Sequence, residues 1–403
     1  MSNKVPFKVR WLSGGVPNHW KIVEPRRIFK LVKEPERPGD IHLTPSQRYG
    51  VLPQEEYMKI TGARVVQNLS GTQMQHVEPG DFISHLRTFQ GGLELATMPG
   101  KVSPAYTVLR PSEAVYPGFF KHVLKSPSYI SQIASVTDQL RDGQTMRFNE
   151  FNLTWLPLPP LEEQKKIADK LDRELAEIDE FIADQQRLLE LATEKFNAEL
   201  RQLTFPTNAP TVPLKRFAQI TLGKMITPSN KGGMELAPYI RAANIQPGGV
   251  FTYQSDYKKM WFSSDELAHL DLKKGDVLVV EGGAGFGRSA VLTEDLPGWG
   301  FQNSINRVRV KPGLADPHFI DFCIRAKLLS GELENLTSQS TIPHLTAEKL
   351  AQAKIPDFSH QNQIATSQTL INKLGEIIET KQQIQTSIDL LVELKKAKIN
   401  KEW

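Results

Sequence analysis

The sequence predicts an α/β (α+β) protein built twice over: two mixed globular domains, each followed by a long α-helix, the two helices pairing as an antiparallel coiled coil. Three observations predict it. Pro159-Pro160-Leu161-Glu162-Glu163-Gln164-Lys165-Lys166-Ile167-Ala168 is answered by Pro356-Asp357-Phe358-Ser359-His360-Gln361-Asn362-Gln363-Ile364-Ala365, with Gln164/Gln361 and Ile167/Ile364 both 197 residues apart. Pro79-Gly80-Asp81-Phe82-Ile83 is answered at an offset of 195 by Lys274-Gly275-Asp276-Val277-Leu278, each opening an apolar run that ends in a glycine cluster, Gly91-Gly92 and Gly282-Gly283. Both Pro-led segments run on into charged amphipathic stretches of helical period, and self-similarity of this kind decides architecture before any single motif does.

The boundaries follow: a globular domain over 1–155, a long helix over 156–205, a second globular domain over 206–355 and a second long helix over 356–403. In the first domain, Ala63–Val66 and Phe82–Leu86 read as strands and Phe119–Leu124 as helix. In the second, Val277–Val280 and Val308–Val310 read as strands and His318–Ile324 as helix, with Gly, Pro and Asp supplying the turns. Asp81 and Asp276 follow glycine at a turn entering a strand, where Asp hydrogen-bonds nearby backbone N–H groups, a structural role. Long loops rich in Gly, Gln, Asn, Ser and Arg connect these elements, and loops on a scaffold are where recognition resides.

In the first helix Ile167, Leu171, Leu175, Ile178, Ile182, Leu189, Phe196, Leu200 and Leu203 form one apolar stripe near heptad spacing, interrupted at Gln185. Ile364, Ile371, Leu374, Ile378, Ile384, Ile388 and Leu391 repeat it in the second. About 40 residues at 1.5 Å each make a rod of roughly 60 Å. Antiparallel pairing within the chain buries both stripes most economically and places a globular domain at each end, as a spacer would; the alternatives are that each helix packs on its own domain or that the coils dimerise between chains. The Pro-rich approaches, Leu156-Pro157-Leu158-Pro159-Pro160 and Ile355-Pro356, impose extended backbone before each helix.

The 403 residues, 39% hydrophobic and 23% charged, suit two or three folded domains. One cysteine, Cys323, excludes an internal disulfide or cysteine-cluster metal site and points to a reducing compartment. Without a signal-like or membrane-spanning apolar run, a cytoplasmic protein is expected. The net charge of +4 divides unevenly: 161–203 carries −5 and 359–403 carries +1, leaving +8 on the globular parts. A cationic surplus there suits a polyanionic partner.

Catalytic motifs are missing. There is no Asn-Pro-Pro or Asp-Pro-Pro aromatic motif of a methyltransferase, no His-Glu-x-x-His, and no Gly-x-Ser-x-Gly nucleophile. Gly282-Gly283-Ala284-Gly285-Phe286-Gly287-Arg288 lacks both the Gly-x-Gly-x-x-Gly spacing and a Walker lysine, so a tight turn exposing Arg288 is expected there rather than a nucleotide site.

This combination resembles the DNA-specificity (S) subunit of type I restriction-modification systems. Its specific carriers are Leu158–Ala168, Thr341-Ile342-Pro343-His344-Leu345-Thr346 and Leu272–Leu278, although His360 stands where the first copy has Glu163. The resemblance implies a non-catalytic chain whose two target-recognition domains each read half of a bipartite site in double-stranded DNA. It implies helices that fix the gap between halves and dock two DNA-methyltransferase subunits, with restriction and translocase subunits joining that core. It places the cofactors elsewhere, S-adenosylmethionine in the methyltransferase and ATP with Mg in the restriction subunit, and implies no membrane and a prokaryotic, nucleoid-associated setting. A coiled-coil scaffold without DNA, or a stand-alone DNA-modifying enzyme, is the competing class.

Base-reading chemistry selects the contacts: Arg and Lys for guanine, Asn and Gln for adenine, Ser for phosphate. In the first domain the candidates are Gln47, Arg48, Tyr49, Gln67, Asn68, Arg87, Gln90, Arg141 and Gln144. In the second they are Lys224, Ser229, Lys231, Arg241, Asn244, Arg288, Asn303 and Ser340. For partner docking they are Glu163, Gln164 and Ile167 with His360, Gln361 and Ile364.

Overall fold

The computed structural model describes residues 7–12, 15–64, 73–85, 91–136, 146–230, 232–253, 257–337 and 344–403. They fall into two compact units, 1–185 with 385–403 and 186–384. Each long helix contributes one part to each unit.

Unit 1 contains β1 Lys21–Val23, β2 Phe29–Val32, β3 Leu43–Ser46, β4 Gly50–Pro53, α1 Gln54–Thr61, β5 Gln75–Val77, β6 Phe82–Ser84 and β7 Leu93–Leu95. It continues with β8 Gly100–Val102, β9 Val108–Pro111, α2 Pro117–Val123, α3 Pro127–Val136, α4 Phe148–Phe151 and β10 Leu156–Leu158, then enters α5, Leu161–Thr204. The central sheet has strand order β2-β9-β6-β7, with β1-β10, β3-β4 and β5-β8 as separate pairs. Its core is aromatic: Phe29 meets Phe82, Phe120 and Phe151 edge-on with centroids 5.5–5.7 Å apart, an arrangement the ring quadrupole favours. Leu171 and Leu175 of α5 and Trp403 are buried in the same cluster.

Unit 2 contains β11 Thr211–Pro213, β12 Ala218–Leu222, β13 Glu235–Ile240, β14 Ile245–Gln246, β15 Val250–Phe251, β16 Lys258–Phe262, α6 Ser264–His269 and β17 Val277–Val280. Then come β18 Ser289–Val291, β19 Gly300–Phe301, β20 Ile305–Val310, α7 Pro317–Leu329, α8 Glu332–Asn335, α9 Ala347–Ala351, β21 Lys354–Pro356 and α10 His360–Lys401. Its central sheet, β12-β20-β17-β18, repeats the order of unit 1, and β11-β21 repeats β1-β10. A second sheet, β16-β13-β19, combines an antiparallel and a parallel pair; in unit 1 the antiparallel β3-β4 pair likewise meets β8 through a parallel bridge, His42 to Lys101.

The expected strands at Phe82, Val277 and Val308 and the helices at Phe119 and His318 form where the sequence places them. The proposed strand at Ala63 does not start as one: Ala63 and Arg64 are irregular, and Val65 and Val66 lie outside the described residues. The Pro-rich approaches are strands, β10 held antiparallel by β1 and β21 by β11. Proline fits there because, among the described residues, each pair leaves one strand edge without a ladder partner.

The repeated Gly-Asp turns are the same device twice. Gly80 (φ 96°) and Gly275 (φ 86°) take left-handed backbone that other residues adopt only with strain. Asp81 Oδ2 accepts from Glu78 N at 2.9 Å, and Asp276 Oδ2 from Lys273 N at 2.8 Å. The turn role was legible in sequence; its second partner was not. Arg110 of β9 grips Asp81 with two bonds of 2.8 Å, as Arg309 of β20 grips Asp276 at 2.7 Å.

In unit 1, Lys170 reaches Glu402 at 2.5 Å, Glu174 meets Lys398 at 2.7 Å and Asp179 meets Lys395 at 2.5 Å. In unit 2, Glu199 meets Lys373 at 2.7 Å. Rising numbers on α5 meet falling numbers on α10, the signature of antiparallel pairing. Along the helices Leu171, Leu175, Ile178, Phe196 and Leu200 of α5 and Leu370 and Ile384 of α10 are buried; Phe196 and Leu200 cluster with Leu370 and with Phe322 and Ala326 of α7. Ile364 and Ile378, expected on the stripe, are 47% and 55% exposed.

Those two exposures follow from an error of two residues in the repeat. Gln164 accepts from Tyr116 N at 2.8 Å and donates to the carbonyls of Ala114 and Pro159, each at 2.9 Å. Gln363, not Gln361, makes the corresponding set, accepting from Asp316 N at 3.1 Å and donating to Leu314 O and Phe358 O at 3.4 and 2.9 Å. The helices therefore correspond at an offset of 199, not 197. That register also aligns Leu171 with Leu370, both fully buried.

Candidate nucleic-acid interface

At one end of the central sheet of unit 2, β12 and β17 finish while β20 begins, and the end of β13 in the second sheet is hydrogen-bonded to the same place, so the loops after and before them converge. Lys224 N donates to Phe301 O at 2.9 Å and Asn303 N to Lys224 O at 2.8 Å. Gln302 N reaches Ile240 O at 2.9 Å, which joins the Arg241 segment to the same corner. Glu281 N donates to Ser304 O at 2.8 Å, tying in the glycine-rich turn that carries Arg288. Backbone pairing thus gathers Lys224, Arg241, Asn244, Arg288 and Asn303, five candidates scattered over 80 residues of sequence. Ser229 lies exposed on the loop that starts at Lys224.

Within that corner the roles divide. Arg288 and Asn303 are half-exposed, as is Arg241. Asn244 is 6% exposed; its Oδ1 accepts from Arg241 N at 2.9 Å and its Nδ2 donates to Thr252 O at 2.7 Å, so its amide holds the turn and is spent before any base arrives. Lys224 is paired with Glu266, whose carboxyl is held below its usual range by that lysine against a smaller effect of burial. Both corrections share a cause, since polar side chains at converging strand ends satisfy buried backbone and charge first. The glycine-rich turn is a short 3₁₀ segment, Gly283–Gly285, followed by a half-exposed Arg288, as expected. Lys231 and Ser340 lie outside the described residues.

In unit 1, Gln47, Arg48 and Tyr49 form the tip of the β3–β4 hairpin, closed by Ser46 Oγ accepting from Tyr49 N at 3.3 Å. Arg48 Cζ lies 5.3 Å from the centroid of the Tyr49 ring, an exposed cation–aromatic pair. Lys125 Nζ donates to Gln47 O at 3.2 Å, and a Cβ on Gly91 would collide with the Gln47 side chain. The tip therefore packs where β7 begins. Beneath it lie His85 and Glu94, both buried and 2.9 Å apart, with Lys125 2.6 Å from the same carboxylate. The matching positions in unit 2 by strand register are Val280 and Ala290, fully apolar. Gln67, Asn68, Arg87, Gln90, Arg141 and Gln144 lie outside the described residues.

Of the docking candidates, Gln164 is fully buried and anchors α5 to its own unit, so it offers nothing to a partner. Glu163 lies 2.8 Å from His19 Nε2 and accepts from Trp20 Nε1 at 3.1 Å. Burial works upward on its pKa, but these bonds outweigh it and hold the carboxyl below its usual range. Ile167 packs partly against the unit 1 core. Gln361 and Ile364 are exposed and His360 half-buried. Exposed apolar side chains that the sequence reasoning missed sit on the same helices: Phe181, Leu188 and Leu191 on α5, and Leu390 on α10.

Cys323 is buried, and burial pushes its thiol well above its ordinary pKa, leaving it inert. Among the described residues no group of three or more His, Cys, Asp or Glu side chains could hold a metal ion, and no helix is long and apolar enough to cross a membrane.

Residues 207–389 match the family described as type I restriction modification DNA specificity domain. The type I restriction enzyme EcoKI specificity subunit of Escherichia coli (strain K12) is 28% identical over 189 residues, covering 42% of this chain and 39% of that protein. A chain solved in work on complex assembly and conformational transition of the type I R-M system aligns with TM-score 0.71 at 16% identity, covering 96% of this chain and 98% of the other. The HsdS subunit from Thermoanaerobacter tengcongensis aligns with TM-score 0.52 at 16% identity over 96% and 97%. At those identities the two structures establish the fold.

Proposed function

We propose, from the match of residues 207–389 to the type I restriction modification DNA specificity domain, that the whole chain is a sequence-specific DNA-binding specificity subunit of a type I restriction-modification complex. The observation that carries the extension to the first half is internal: unit 1 repeats the sheet order, the Asp–Arg pair and the glutamine anchor of unit 2. Each unit reads one half of a bipartite double-stranded site through its convergent loops. The continuous helices α5 and α10 keep those halves at a set spacing.

The chain contributes binding and positioning rather than bond chemistry. Arg288 and Arg241 suit guanine or phosphate, Asn303 suits adenine, and the Gln47-Arg48-Tyr49 tip can combine hydrogen bonding with an aromatic face. Two DNA-methyltransferase subunits bind the exposed surfaces of the helix pair and bring S-adenosylmethionine. Restriction and translocase subunits bring ATP and Mg, and the complex works in the cytoplasm on the nucleoid. The duplicated plan supports two equivalent docking surfaces.

Co-expression with a cognate methyltransferase, followed by mapping of methylated adenines, tests this reading. A bipartite motif methylated only when both proteins are present is the expected result. Methylation independent of this chain, or binding of S-adenosylmethionine by the chain alone, would overturn it.

A further inference from the structure

Met225 and Ile226 stand on the segment between β12 and β13, and their exposure has no explanation in the fold of unit 2. Met225 is 72% exposed, the highest value among the large apolar side chains described as exposed, and Ile226 is 50% exposed. The backbone around them is pinned. Lys224 N donates to Phe301 O at 2.9 Å, Asn303 N to Lys224 O at 2.8 Å and Trp261 N to Thr227 O at 3.1 Å. Thr227 Oγ1 donates back to Met225 O at 3.2 Å, and Thr227 is itself buried. Two apolar side chains are therefore held out by hydrogen bonds on both sides.

Their surroundings define the partner. They share the sheet end with Arg241, Arg288 and Asn303, and Lys258 and Lys259 of β16, both exposed, lie just before the Trp261 that pins Thr227. Glu266, the acid beside Lys224, is neutralised by that lysine. A protein interface would need several hundred Å² per side with an apolar centre; here two apolar side chains project among cations. Met and Ile are among the residues that enter between stacked bases and open the step.

We propose that Met225 and Ile226 form an apolar wedge that enters a base step of double-stranded DNA and partly unstacks it; this rests on the DNA-specificity reading above. The wedge belongs to one half-site only. Thr221 pairs with Arg307 as Val32 pairs with Val108, and the segment after Val32 runs Lys33-Glu34-Pro35-Glu36-Arg37. There Glu34 binds Arg110, Glu36 binds Lys101 and Arg37 binds Glu78, each at 2.5 Å, so the matching place in unit 1 is charged and internally paired.

The test uses the full chain assembled with its modification subunits. Duplexes are selected from a random pool by the wild-type complex and then carry 2-aminopurine at single positions through each half-site. One step in the half-site of unit 2 is expected to brighten on binding. The Met225→Ser/Ile226→Ser variant is expected to lose that signal and bind about tenfold more weakly with an unchanged salt slope, since no phosphate contact is removed; Met225→Leu is expected to retain both. Circular dichroism and assembly with the modification subunits report whether the variant is folded.

Selected DNA bound by wild type without any brightened step would overturn the wedge while leaving the DNA-specificity reading intact. So would a double variant that keeps the signal, or one that loses assembly with the modification subunits while binding DNA as before, which would make the tip a protein contact. Failure of the wild-type complex to select any DNA would overturn both readings.

Discussion

Arg309 holds Asp276 with two parallel hydrogen bonds, Nε to Oδ1 and Nη2 to Oδ2, both 2.7 Å long, and the carboxylate is only 1% exposed. Asp276 also closes the turn before β17, so one buried side chain joins a turn, a strand and its neighbour. Asp276→Ala removes two bonds from Arg309, leaving it only Asp271, and opens the turn, and should lower the stability of unit 2 by about 1–3 kcal/mol. The Asp276→Ala/Arg309→Met pair should cost less than the sum of the single changes, because removing both charges leaves none uncompensated. Urea unfolding of the four members of this cycle measures the coupling, and strict additivity would contradict it.

Gln164 and Gln363 should be the helix anchors, in preference to the more conspicuous Gln361. Gln363→Ala leaves Asp316 N and two carbonyls without their partner and should cost about 1–3 kcal/mol, with faster hydrogen exchange at Asp316. Gln361→Ala, at an exposed site, should change neither. Equal effects at the two positions would restore the offset of 197.

His76 gives unit 1 a pH dependence. It is 2% exposed, with Nδ1 2.8 Å from Asp40 and Nε2 3.0 Å from Glu78, whose other close partner is Arg37. Burial opposes its charge, but the two carboxylates outweigh it and raise its pKa above 6.5. The stabilisation is therefore complete below about 6.5 and is lost as pH rises through the higher folded value. Asp40 and Glu78, whose pKa values are lowered, act in the opposite sense, contributing above their ordinary carboxylate values and losing it on acidification. Urea midpoints of unit 1 against pH should fall on the alkaline side in wild type, and that fall should vanish in His76→Gln.

Arg288→Ala should weaken discrimination in one half-site, by about 1–3 kcal/mol if its contact is bidentate to guanine, and leave the other half-site unchanged. Arg48→Ala should do the reverse. Methylation profiles of the two variants on a library randomised in both halves give the answer; an equal change in both halves from either variant rules out one unit per half-site.

Adding one heptad to α5 at Gln185, with a matching heptad in α10, lengthens the pair by roughly 10 Å. At 3.4 Å per base pair the preferred gap in the DNA should grow by about three base pairs. An unchanged gap would show that the helices do not set it.

The parts of this protein that sequence makes legible are those with a period or a signature turn. The α5 stripe shows because buried residues recur at helical spacing, and the Gly-Asp turns show because only a left-handed glycine followed by a capping acid fits there. The glutamine register misled because Gln361 and Gln363 are the same residue type two positions apart; which one is buried is decided by the backbone groups at Leu314 and Asp316, nearly fifty residues away in sequence. Loop candidates divided for a similar reason. Asn244 and Lys224 look like readers of bases, but Thr252 and Glu266 engage them first.

Sequence by itself determined the duplication, the two long helices, the cationic globular halves and the absence of familiar catalytic motifs, because each rests on composition or on spacing along one chain. Tertiary structure alone decided that Arg110 and Arg309 complete the repeated turns, that Gln363 is the true counterpart of Gln164, and that Met225 and Ile226 remain exposed beside Arg241, Arg288 and Asn303. Those are relations between residues brought together by strand order and hydrogen-bond satisfaction, and no local pattern encodes which polar group will find which partner.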